Sequence, residues 1–211
     1  MSSHLSTFDT LASAESVHRT VEALKAHNIE AFSLKTAAEA AKKVLELLPA
    51  GAEVLTNSST TLDQLGLTKE INDSGKFVSL KNKMYAMDRA TEGRAIAALV
   101  SAPQIAVGSV HAVTEQGSLY IAAMSGSNLP GYAFGAEKVV FVVSTKKITP
   151  NAEEALKRLW DHVLPQESIR ARKAYGLPDT FHSNPNTVLN INAQQAPGRV
   201  YVVFFNEDAG F

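Results

Sequence analysis

The chain has 211 residues, a formal net charge of −1 and a pI near 6.6, with 45% hydrophobic and 19% charged residues. That length allows one α/β domain with a substantial core, and the lack of a basic excess argues against a nucleic-acid partner. The sequence contains no cysteine, which excludes disulfides, thiolate nucleophiles and cysteine-ligated zinc or iron–sulfur clusters.

Residues 1–10, MSSHLSTFDT, lack the apolar stretch and cationic flank of a signal peptide and read as a loose segment. Residues 14–27 read as a helix, with Val17, Val21 and Leu24 on one face. Ile29 to Leu34 is a strand candidate. Thr36 and Glu39 have the form of a capping box, opening a helix that stops at Pro49-Ala50-Gly51. Glu53 to Thr56 reads as a strand leading through Asn57-Ser58-Ser59-Thr60-Thr61 into a short helix around Leu62 to Leu65. Asn82 to Ser101 reads as one longer helix, and Ile105 to Val107 as a strand. His111 to Thr114 and Leu119 to Ala123 form a hairpin about Gln116-Gly117.

Pro130 to Gly135 predicts one helical turn before the β-forming run Val139 to Val143. Asn151 caps a helix with Glu153 and Glu154 in its first turn, where the helix dipole favours them. Glu153 with Lys157, and Glu154 with Arg158, form pairs four apart on its outer face. That helix is expected to end near Pro165. Thr187 to Ile191 and Val200 to Phe205 read as a second hairpin, a β extension spanning residues 185–211. Alternating strands and helices argue for one domain: a three-layer α/β/α arrangement around a mainly parallel sheet, with β-hairpins added at one side. The apolar run Val200 to Phe205 needs cover on both faces. Either the parent sheet or a second chain can supply it, the latter predicting a homo-oligomer. No apolar run approaches the length needed to cross a bilayer, so a cytoplasmic location without membrane association is expected.

Several side chains suit chemistry, each with a structural alternative. Asn57, Ser58, Ser59, Thr60 and Thr61, between strand and helix, offer hydroxyls and backbone N–H groups to an anion; the alternative is a helix cap. Glu115 at the hairpin tip, beside Gly117, could hold or attack a ligand, or be a solvated turn carboxylate. His111 precedes it by four residues on a strand, so both project to one face as an acid–base pair; the alternative is a hydrogen-bonded structural histidine. Ser125, Gly126, Ser127 and Asn128 could present backbone donors to a ligand or form a flexible connection. Lys83 or Arg89 could neutralise an anionic substrate, or lie on a solvated helix face. Met84 and Met87 read as core. The remaining histidines (His4, His18, His27, His162, His182) show no metal-ligand spacing, so neither a metal nor a cofactor is expected.

The ordered set Val54 to Thr61, Thr114-Glu115-Gln116-Gly117-Ser118, Ser127-Asn128-Leu129-Pro130 and Val139 to Asn151 resembles the LUD family, named for lactate utilisation. The family hairpin commonly reads Ala-Glu-Thr-Gly-Thr; here Gln116 and Ser118 stand for the two threonines. The resemblance implies the fold shared by CoA transferases, ribose-5-phosphate isomerase and glucosamine-6-phosphate deaminase. It also implies an association with lactate oxidation and with partner subunits carrying iron–sulfur clusters. By similarity to the Glu-x-Gly of class I CoA transferases, it suggests Glu115 as the attacking carboxylate on an acyl-CoA, with the glycine-rich loop as oxyanion hole. The function expected is binding of a small anionic metabolite (acyl-CoA, phosphate or carboxylate) in a cleft. The alternative is a non-catalytic accessory or regulatory subunit of an organic-acid oxidation system.

Overall fold

The computed structural model describes residues 7–211; residues 1–6 of the expected loose segment, His4 among them, lie outside the described residues. Thr7–Asp9 forms a single 3-10 turn. Helix α1 (Ala14–Ala26) starts where the Ser13 hydroxyl accepts the Ser16 N–H, and buries Val17, Val21 and Leu24 as its periodicity requires. Strand β1 (Glu30–Leu34) follows. Helix α2 (Ala37–Glu46) opens with the expected capping box: Glu39 N–H donates to Thr36 Oγ1 at 3.1 Å, and Thr36 N–H to Glu39 Oε2 at 3.2 Å.

Next come β2 (Glu53–Thr56), α3 (Thr60–Gln64), α4 (Leu67–Asp73), β3 (Val78–Ser79) and α5 (Leu80–Ala86). The single helix expected over 82–101 is broken. Asp88 accepts from Ala90 N–H and the Thr91 hydroxyl, forming a turn that separates α5 from α6 (Gly93–Ser101). Strands β4 (Ile105–Gly108), β5 (Ala112–Thr114) and β6 (Leu119–Ala123) lead to a π-helical turn, Gly131–Gly135, and then β7 (Lys138–Ser144) and β8 (Ile148–Thr149). Helix α7 (Ala152–Arg158) is capped by Asn151 as expected. It does not end at Pro165 but runs through a π turn, Leu159–Val163, into α8 (Leu164–Tyr175). Pro165 falls directly after the π turn, where the hydrogen-bond ladder already departs from the α-helical pattern and accommodates its missing N–H. Strands β9 (Thr187–Ile191) and β10 (Val200–Phe205) complete the chain.

Six strands form an all-parallel sheet in the order β1-β10-β7-β4-β2-β3. Helices α2, α3 and α4 cover one face, where Ala40, Val44, Leu62, Leu67 and Ile71 pack on Val140, Val142, Val203 and Phe205. The other face meets α1 and a second sheet, ordered β8-β5-β6-β9, through Val113, Leu119, Ile121 and Ile191. The mainly parallel sheet between helices is as the sequence predicts. The hairpin strands, however, leave it to build a sheet of their own.

The expected C-terminal hairpin does not form. Strand β9 pairs antiparallel with β6, whereas β10 inserts between β1 and β7 in the large sheet. Within the parent sheet the Val200 run is covered on one face by α2 and on the other by α1 and the second sheet, and it does not require a second chain.

Candidate functional site

Because all six strands of the large sheet run the same way, the residues after each strand gather along one edge. Open parallel α/β sheets place ligand sites at such an edge. Here it receives Asn57 after β2, Ser109 after β4, Thr145–Lys147 after β7 and residues 206–211 after β10. Register fixes the neighbours. Thr56 pairs with Val107, and Asn57 N–H donates to the Val107 carbonyl at 2.9 Å, so Asn57 lies opposite Gly108.

Lys147 sits at the centre of this edge and is 3% exposed. Its Nζ lies 3.1 Å from Thr61 Oγ1, 3.2 Å from Ser109 Oγ and 3.1 Å from the Val110 carbonyl. None of these partners is a carboxylate. Burial, reinforced by the charges of Arg158 and Lys146, pushes its pKa well below the ordinary lysine value. On the adjacent strand end, Asn57 Nδ2 is buried and makes no hydrogen bond of ordinary geometry among the described residues, although the Tyr132 hydroxyl lies close to it. Tyr132, on the π turn, is 1% exposed. Burial raises its pKa, and the neighbouring Asn57 amide partly opposes that shift without reaching hydrogen-bonding geometry. Gly108 makes room for this ring: a Cβ there would fall 1.9 Å from the Tyr132 hydroxyl. Gly210 closes the edge from above, since a Cβ there would stand 2.1 Å from Thr61 Oγ1 and 3.1 Å from Lys147 Nζ.

A second layer of cations lies behind. Lys146 pairs with Asp208 and, at 3.5 Å, with Asp9. His162 Nε2 lies 3.3 Å from the same Asp9 oxygen. Arg158 is fully buried and donates to the His111 carbonyl, while its Nε and second terminal nitrogen find no partner among the described residues. The outer-face pair expected between Glu154 and Arg158 is therefore absent: the helix turns Arg158 inward, and Glu154 meets Lys157 instead at 4.0 Å.

The expected site residues divide by place. Of Asn57–Thr61, Ser59 caps α3 by accepting from Leu62 N–H at 3.4 Å, and Thr61 holds Lys147. Ser58 is exposed, and Asn57, Thr60 and Ser109 are half-buried. His111 is half-buried close to Lys147 and Arg158; its Nδ1 accepts Ala122 N–H at 3.0 Å, and loss of solvent around the ring first, then those two cations, push its pKa down to about 3.

Glu115 lies at the far end of β5 and turns to helix α1. It accepts from the Ser16 hydroxyl at 2.5 Å and pairs with the Arg19 guanidinium at 3.0 Å. No hydrogen bond joins it to His111 among the described residues, and the shared-face pair is not formed. Gly117, at φ +82°, packs on the α1 backbone, where a Cβ would lie 2.9 Å from the Ala23 carbonyl carbon. Ser125–Asn128 follow β6, whereas the Glu115 turn precedes it. The two flank opposite ends of a five-residue strand, about 17 Å apart, rather than one cleft. Ser125 and Ser127 bond each other, and Gly126 lies near Thr187. Lys83 pairs with Glu53 at the start of β2, on the opposite edge of the sheet. Arg89 is exposed in the α5–α6 connection.

Sequence reasoning missed Lys147, Ser109, Tyr132 and Arg158. The readable signal was Lys146-Lys147 directly after the apolar run Val139–Val143, since a lysine ending a doubly buried parallel strand arrives at the ligand edge. No described helix is long and apolar enough to cross a membrane.

The model of the LUD domain matches residues 17–205. Among solved structures, the chain is similar to a DUF162 family protein from Deinococcus radiodurans, with 10% identity, 93% of this chain and 99% of that chain covered, and a TM-score of 0.54. It is also similar to ribose 5-phosphate isomerase from Plasmodium falciparum, with 13% identity, 76% and 78% covered, and a TM-score of 0.37. No curated protein sequence matches it. The chain belongs to the LUD domain family, associated with lactate utilisation.

Proposed function

We propose that this protein binds a small carboxylate at the C-terminal edge of its parallel sheet, with Asn57, Ser58 and Ser109 at the mouth and Lys147 beneath. The observation that supports this most is a buried lysine met by no carboxylate, with a poorly matched amide donor on the adjacent strand end. Lys147 is buried among neutral oxygens, and the Asn57 amide has a donor without a well-aligned acceptor. Native structures rarely leave buried donors orphaned. A ligand carboxylate satisfies both groups: it accepts from Asn57 Nδ2 and from the Ser58 hydroxyl, and its charge favours protonation of the lysine below.

Size favours a small ligand. Gly210 and Thr61 close tightly over the amine, which suits a compact acid better than a nucleotide-bearing thioester. The Glu115 carboxylate is already matched by Arg19 and Ser16, so acyl transfer through it has less support than carboxylate binding at Lys147.

Calorimetric titration and thermal shift with propionate, inorganic phosphate and acetyl-CoA test the reading. Propionate is expected to stabilise the protein by linkage, and acetyl-CoA to leave it unchanged. In Asn57→Ala propionate affinity is expected to fall about tenfold, as for one charge-assisted hydrogen bond, whatever stability is lost with the amide's contact to the Tyr132 hydroxyl. No binding of any probe would overturn the reading in favour of an accessory role.

A further inference from the structure

We propose that Lys147 is an amine nucleophile that forms an imine with a 2-oxo acid bound at this edge. This inference rests on the carboxylate-binding reading and adds to it the carbonyl beside the carboxylate and a covalent step.

The environment of Nζ carries the inference. A lysine retained only for packing or charge pairing is normally met by a carboxylate or reaches solvent along its stem. Lys147 does neither. Its partners are two hydroxyls and one carbonyl, at 3.1, 3.2 and 3.1 Å. An ammonium group has three protons to give and would donate to all three oxygens. A neutral amine has two protons and a lone pair. It can donate to the Val110 carbonyl and to one hydroxyl while accepting from the other, because a hydroxyl serves in either role. The shell therefore accommodates the uncharged, nucleophilic form without leaving an orphaned group. The depressed lysine pKa agrees with that geometry.

Access comes through Ser109. This residue is half-buried and contacts Nζ directly, so the amine lies one hydroxyl below the surface. Asn57, opposite Gly108 on the adjacent strand, lies about 5 Å across the sheet from that position. In the proposed complex the carboxylate of a 2-oxo acid lies at the Asn57 strand end and its carbonyl carbon faces the lysine.

The step balances without an external oxidant or reductant. The Nζ lone pair forms a bond to the carbonyl carbon, and the π pair moves to oxygen, which takes one of the two nitrogen protons, relayed through the Ser109 or Thr61 hydroxyl. The resulting carbinolamine loses its hydroxyl as water, using a proton from nitrogen, and the nitrogen pair closes the C=N bond. One water is released for each imine formed. Reversal by water returns the free acid and amine.

The test is reductive trapping on the full chain. Pyruvate or glyoxylate is added, then cyanoborohydride, and peptides are mapped by mass spectrometry. Propionate, which has no carbonyl, serves as the control ligand in a parallel thermal-shift titration. The expected result is an N-carboxyalkyl adduct at Lys147 forming at least tenfold faster than at any other lysine. Excess propionate should suppress it, and Lys147→Gln should lack it. Ser109→Ala, which keeps the lysine, should slow the trapping. If propionate and pyruvate both stabilise the protein but no preferential Lys147 adduct forms, the imine is wrong and carboxylate binding stands. If neither ligand binds, both fall. If adducts spread evenly over surface lysines, the imine is likewise wrong.

Discussion

Two charged clusters in this molecule invite opposite readings. At the hairpin tip, Glu115 is one-fifth exposed and meets Arg19 and Ser16 on α1. At the strand-end edge, Lys147 is buried among hydroxyls, with Arg158 behind it carrying two unpartnered nitrogens. The first cluster is complete as it stands: every charge has its opposite, and Gly117 locks the turn against the helix backbone. The second is incomplete: Lys147 has no carboxylate partner at an edge where a parallel sheet offers a ligand site, and two Arg158 nitrogens behind it have no partner among the described residues. A charge satisfied within the chain fastens two elements together, whereas a buried amine answered only by neutral groups is poised for a partner from outside.

The contrast can be broken most forcefully at Gly117. Gly117→Ala places a Cβ at φ +82° and 2.9 Å from main-chain carbon. Strain and overpacking together are expected to cost about 3 kcal/mol, seen as a lowered denaturation midpoint. Propionate binding by the protein that remains folded should be unaltered. A midpoint equal to wild type would show that the turn is not locked on α1.

The buried edge has its own signature in acid. His111 is held neutral, with its folded pKa near 3 against an ordinary 6.5. Between those values the unfolded chain binds the extra proton, so stability rises with pH across the window and is lost as pH falls from about 6.5 toward 3. Wild type should lose about 1 kcal/mol per pH unit in this range from His111. His111→Gln, which keeps an acceptor for Ala122 N–H, should lose less, as followed by urea unfolding at several pH values. Parallel pH profiles would remove His111 from the buried cluster.

The smallest effects are expected at the tip's ion pair. Glu115→Gln and Arg19→Gln should each cost less than about 1 kcal/mol, with a coupling of about 0.5 kcal/mol in a double-mutant cycle, since Arg19 is half-exposed. Loss of ligand binding in a stable Glu115→Gln variant would reverse the assignment of roles.

Local signals carried far in this sequence. The Thr36–Glu39 box, the Asn151 cap and the Val17–Val21–Leu24 stripe all act within one turn or one face, and the structure reproduces them. What depended on distant packing did not show. Arg158 occupies a position that reads as an exposed partner of Glu154, but α7 lies over the outer side of the second sheet, and Arg158 reaches the His111 carbonyl. Strands β9 and β10 read as a hairpin because they are neighbours in sequence, yet their hydrophobic partners lie in different sheets. The loop Asn57–Thr61 was legible as a polar strand end. Its meaning depends on Lys147, 86 residues away from Thr61, and no local pattern joins the two.

The central claim is that Lys147 is an uncharged amine open to a ligand, and lysine NMR reads this directly. With lysines labelled at Cε, one resonance, lost in Lys147→Gln, is expected to titrate well below the ordinary lysine range and to move to higher pKa when propionate binds. If every lysine titrates at its ordinary value and none responds to propionate, the strand-end edge is not the ligand site.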